Sequence, residues 1–139
     1  MIRLILIGLF TALSVGCGAP TLETPECREA RPVIREFYSY HFANEMLRTK
    51  QSLQARERFL TPDFAKRLES SPEGVDVFTT GSDDIPRAFR EGKCETISSD
   101  RTTFNVLIFW RDDARTEQRQ INVEAKKTTN GWLIDQVNY

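Results

Sequence analysis

TTFNVLIFW, Thr102–Trp110, decides the fold. Phe104, Val106, Ile108 and Trp110 fall on one side of it, the period-two pattern of a strand that buries one face. RQINVEAKK, Arg119–Lys127, repeats the alternation with Ile121, Val123 and Ala125, across a loop at Asp112–Thr116. Setting Ile108 opposite Ile121 also sets Val106 opposite Val123 and Phe104 opposite Ala125, so one register gathers the large residues together. Asn130-Gly131 then reads as a two-residue hairpin turn. It carries Trp132 and Ile134 of a closing strand, Trp132–Val137, to the same face and puts Lys126 opposite Asp135. Upstream, Lys93–Ser98 is a short strand ended by Ser99-Asp100.

The half before these strands is helical. Pro32 suits the first turn of a helix reaching about Thr49, with Val33, Ile34, Phe37, Tyr38 and His41 on one broad face. A second helical segment covers Leu53–Phe59. Thr61-Pro62 supplies a cap and first residue for a helix over Pro62–Ser70 that buries Phe64 and Leu68. Between 75 and 92 only the loop at Thr80–Asp84 is legible. Helices followed by a meander predict an α+β fold, the N-terminal helices packed on one face of a curved antiparallel sheet.

The chain opens on MIRLILIGLFTALSVGC, Met1–Cys17. One basic residue, Arg3, precedes an uncharged run from Leu4 to Val15. That run is too short to span a hydrocarbon core about 30 Å thick, and it reads as a signal-peptide core. Leu13-Ser14-Val15-Gly16-Cys17 resembles the lipobox cut by the bacterial lipoprotein signal peptidase, although Leu13 stands one place further from the cysteine than in the commonest form. The alternative is an ordinary signal peptide. The resemblance implies a leader over 1–16, lipidation at Cys17 and permanent attachment to the bilayer. Gly18 rather than Asp after the cysteine favours the outer membrane, facing the periplasm. Gly18–Glu26, with two prolines, reads as tether, so the division expected is a lipidated tether over 17–29 and a single domain over 30–139.

With 19 basic and 20 acidic residues the net charge is -1, and loss of Arg3 with the leader makes it more negative by one. No basic excess points to nucleic acid. The basic residues between Arg48 and Arg58 read as a solvated helix face. Cys27 and Cys94 are expected either to bond, as the periplasm favours, or to remain two buried thiols. The single His and the lack of any Cys-x-x-Cys exclude the usual zinc site.

Phe37-Tyr38-x-Tyr40, Phe59-Leu60-Thr61-Pro62-Asp63-Phe64 and Gly131-Trp132-x-Ile134-Asp135-x-Val137 together resemble the nuclear transport factor 2-like (cystatin-like cone) superfamily. Within it the resemblance is to small bacterial envelope lipoproteins of uncharacterised function, over Ala30–Tyr139. The superfamily hosts enzymes and binding modules alike, so it implies a fold and not a reaction. Its enzymes place an Asp or His between helix and sheet. Here that position suggests His41, with Tyr38 and Glu45 at helical spacing, as a weak candidate for acid–base chemistry beside the reading of His41 as a core residue. Asp135 faces Lys126 in the expected register. Asp83-Asp84 lacks the spacing of a calcium loop, and no nucleophile constellation or phosphate loop is present. No metal or cofactor is expected. Leu107, Phe109, Leu133 and Val137 are expected to share the sheet's outer face as an interaction surface, the alternative being scattered surface apolar residues. The leading expectation is a non-enzymatic, membrane-anchored domain that binds an envelope protein or a second copy, such as an inhibitor or accessory subunit. The alternative is a small-molecule or catalytic pocket centred on His41.

Overall fold

The computed structural model describes Leu22–Tyr139; the leader and Cys17 lie outside the described residues. Three helices, α1 (Pro25–Phe42), α2 (Lys50–Gln54) and α3 (Pro62–Glu69), precede four strands. These are β1 (Ala88–Ser98), β2 (Arg101–Arg111), β3 (Thr116–Thr128) and β4 (Gly131–Asn138), paired antiparallel in chain order. The architecture is α+β. Phe104, Val106, Ile108, Ile121, Val123, Ala125 and Ile134 form the sheet's contribution to a core completed by Ile34, Phe37 and Tyr38 of α1.

The helix boundaries correct the expected ones. α1 starts at Pro25, well before Pro32, because the Thr24 hydroxyl accepts from the Cys27 N–H and Pro25 fills the first-turn place. Pro25–Glu29, read as tether, are therefore helical, and Pro32 lies within the helix. α1 stops at Phe42 rather than near Thr49, where the Asn44 side chain donates back to the Tyr40 carbonyl. Thr49 instead caps α2 reciprocally with Ser52, so that helix begins at Lys50 and ends at Gln54. A 3-10 turn at Glu57–Phe59 follows it.

The register differs from the expected one by two residues. Val106 faces Ile121, Phe104 faces Val123 and Thr102 faces Ala125. The turn fixes this, since Asp112 and Arg115 exchange backbone hydrogen bonds and leave Arg111 paired with Thr116. At the last hairpin Thr128 pairs with Gly131, so Thr129-Asn130 forms the turn and Gly131, at φ +92°, follows it. Lys126 accordingly faces Leu133 and not Asp135. Both shifts are even, so the core face is the expected one.

A bulge in β4 reverses the rest of that strand. Ala125 pairs with Ile134 and Glu124 with Gln136, leaving Asp135 as the extra residue. Beyond it Val137 faces Val123 and packs against the core. Val137 therefore does not belong to the outer face. Tyr139 returns the same way, its ring lying over Gly81 so closely that a Cβ there would sit 2.4 Å from Cε2.

Thr61 ties helix to sheet. Its hydroxyl caps α3 by accepting from the Phe64 N–H and donates to Asp135 at 2.7 Å, while its own N–H bonds the Ile134 carbonyl. Burial alone would raise the Asp135 carboxyl, but the hydrogen bonds from Thr61 and Arg101 outweigh it and hold the group below the ordinary aspartate value. Thr61→Ala removes the cap and one of those two side-chain donors. The expected loss is about 1–2 kcal/mol, measured as a lower urea midpoint at unchanged m-value. A depressed carboxylate stabilises the fold above its unfolded pKa and ceases to as pH falls through the folded one. The gap from wild type should therefore be widest at neutral pH and narrow in acid to the cost of the lost cap alone.

Candidate functional site

His41 sits on α1 where the helical spacing placed it, fully buried. Its partners are not the expected ones. Nε2 lies 3.0 Å from Oδ1 of Asp76, and Nδ1 accepts from Nε of Arg56 at 2.8 Å. An arginine always donates, so Nδ1 is the bare nitrogen and Nε2 carries the hydrogen given to Asp76. Asp76 further accepts from the Phe78 N–H and the Thr79 hydroxyl. Arg56 spends its remaining nitrogens on the carbonyls of Ser52 and Glu45, each at 2.7 Å. Desolvation holds the Arg56 guanidinium below its ordinary pKa. A positive and a negative group are thus linked through a neutral imidazole, each by several hydrogen bonds.

Aromatic rings enclose this relay. Phe37 stacks on the His41 ring at 5.6 Å, and Phe78 meets both from the side. Phe78 belongs to the segment Asp76–Thr79, which is buried as a whole, and its ring also meets Phe64 of α3. The Tyr38 hydroxyl donates to the Phe78 carbonyl, and burial raises its pKa well above the ordinary tyrosine value. Glu45 offers His41 nothing from its side chain, which instead accepts from the Leu47 N–H. Of the three residues suggested for chemistry, the structure thus buries Tyr38 and His41 and turns Glu45 outward.

Arg56 and Asp76 were missed in the sequence. The signal for Asp76 was a lone carboxylate within Val75-Asp76-Val77-Phe78, where burial demands a partner. Arg56 falls in the stretch that the sequence presents as a solvated basic face. That face does not exist as expected: Arg48 is also buried and donates to the carbonyls of Leu68 and Glu69.

The other candidates fall into separate places. Asp84 accepts from the Trp110 indole and from both terminal nitrogens of Arg115, and the Arg115 bonds hold its carboxyl below the usual range. Asp83 is exposed. No cluster of three metal-ligating side chains occurs among the described residues. Cys27 and Cys94 are disulfide-bonded with their Cα atoms 5.8 Å apart, joining the first turn of α1 to β1. No described helix is long and apolar enough to cross a membrane. Leu107 and Phe109 do lie on the outer face, in the rows Arg90–Leu107–Gln120 and Ala88–Phe109–Gln118. Leu133 lies in the row of Lys126 and Arg101, at the opposite end of the sheet. The four expected interaction residues are therefore not one patch.

A groove of about 740 Å³ opens between α1 and β4. Val33 and Tyr40 form its helical wall and Trp132 and Leu133 its strand wall. Arg58 lies over the rings of Tyr40 and Phe59. Glu29 closes one end, holding Lys127 at 2.8 Å and the Trp132 indole at 3.2 Å. Its lining is amphipathic.

No protein-family model matches the chain, and no curated protein does. Among solved structures, the crystal structure of a protein of unknown function from Bacteroides thetaiotaomicron is similar to it. The two are 18% identical over 81% of this chain and 90% of that one, with a TM-score of 0.47.

Proposed function

We propose that this chain is an envelope lipoprotein of the nuclear transport factor 2-like class whose domain binds another protein and catalyses nothing itself. One observation carries the non-catalytic reading: His41, the residue suggested for chemistry, is fully buried with the Phe37 and Phe78 rings packed against it. Both nitrogens of His41 are committed, so the imidazole has no free site from which to move a proton. The small-molecule reading centred on His41 loses its support for the same reason. Anchoring rests on the lipobox-like Leu13–Cys17 stretch, and the periplasmic assignment is in keeping with the Cys27–Cys94 bond.

The test has two parts. A fatty-acid analogue fed to cells should label the wild type and leave Cys17→Ser unlabelled and released from membranes. Unlabelled wild type would end the lipoprotein reading. Crosslinked envelopes should yield a stoichiometric partner of the lipidated chain, and a self-crosslink alone would mean a homodimer.

A further inference from the structure

Three arginines at one end of the sheet, Arg87, Arg90 and Arg111, form no ion pair or side-chain hydrogen bond among the described residues, and all three are exposed. Most other arginines of the domain are engaged with carboxylates or carbonyls, so this group stands apart. The three meet at Phe109. Arg90 places its guanidinium 5.9 Å from the centre of that ring, and Arg87 and Arg111 line a hollow of about 580 Å³ with Phe109, Ala88 and Gln118. The carboxylate at its rim, Glu117, is held by Arg115 and Arg119 and is not available to them. Asp112 and Asp113 follow Arg111 in the exposed turn, where Asp112 accepts from the Ala114 N–H.

We propose that this hollow is the docking site for an acidic peptide segment of a partner protein, its carboxylates on Arg87 and Arg111 and an apolar side chain on Phe109. The inference rests on the protein-binding reading above and names the site and the chemistry of the partner. Guanidinium groups match carboxylates in a planar, two-bond geometry. A phosphate would use the arginines and leave the phenyl ring and the amide of Gln118 unused, whereas a peptide can use all of them.

The probe is a short fluorescent peptide alternating Glu and Leu, with a Gln-for-Glu peptide as its control, measured by anisotropy against the full mature chain. The Glu peptide should bind, more weakly as salt rises, and the control should not. Arg87→Gln with Arg111→Gln, both exposed and outside the core, should weaken binding about tenfold or more. Phe109→Ser should weaken it with circular dichroism unchanged. Equal binding of the two peptides, or full binding by the double arginine variant, overturns the site. Vesicles of phosphatidylglycerol displacing the peptide at matched charge would transfer the surface to lipid and overturn the peptide assignment. If the peptide fails while a crosslinked envelope partner persists in the double arginine variant, this inference falls and the protein-binding reading stands.

Discussion

Asp76→Ala is expected to cost about 3–5 kcal/mol, the penalty for leaving a buried charge without its opposite. The carboxylate receives hydrogen bonds from His41, the Phe78 N–H and the Thr79 hydroxyl, all within a region closed to solvent. Deleting it strands three donors and leaves the Arg56 guanidinium uncompensated across the imidazole. A domain of this size has about 5–15 kcal/mol in total, so the variant should be partly unfolded at moderate temperature. Urea titration by circular dichroism measures this directly. Asp76→Asn, which keeps the shape but not the charge, should fall between the two. An Asp76→Ala midpoint equal to wild type would mean that the relay is not what holds the 76–79 segment in place.

Reduction of the disulfide has the second large effect. Cys27 and Cys94 are separated by 67 residues, and on the chain-entropy account cross-linking so long a loop stabilises by about 4 kcal/mol. Cys27→Ser with Cys94→Ser should lower the unfolding midpoint accordingly. Wild type in reductant should match the double variant, and the double variant should not respond to reductant. Full alkylation of both thiols in protein extracted without reductant would show that the bond does not form in the cell.

The parts of the fold legible in the sequence were those set by local rules. Alternation located β2 and β3 and the correct core face, and Thr61-Pro62 located the start of α3. Register was not legible, because a displacement of two residues keeps every side chain on its original face. Only the turn at Asp112–Arg115 distinguishes the alternatives. The bulge at Asp135 was equally hidden, since Gly131–Asn138 alternates well enough to be read straight through. The fate of Val137 changed with it. For the candidate site, helix geometry found His41 but could not find what satisfies it. Asp76 approaches from a segment without periodicity, and Arg48 and Arg56 bury themselves against backbone carbonyls, a kind of partner that residue types do not reveal.

Both borders of the sheet are interrupted. On β4, Leu60 pairs with Ile134 in parallel and occupies the middle of the strand. On β1, extra residues at Gly92-Lys93 and at Ile97 break the pairing rhythm, and the Arg31 guanidinium covers the Gly92 carbonyl. Unpaired strand edges are templates for fibril growth, and bulges, covers and charges are how natural sheets suppress it. On the proposed lipid-anchored reading, that protection would matter most on a membrane surface, where neighbours meet by two-dimensional diffusion at high local density. Such a chain can crowd without polymerising.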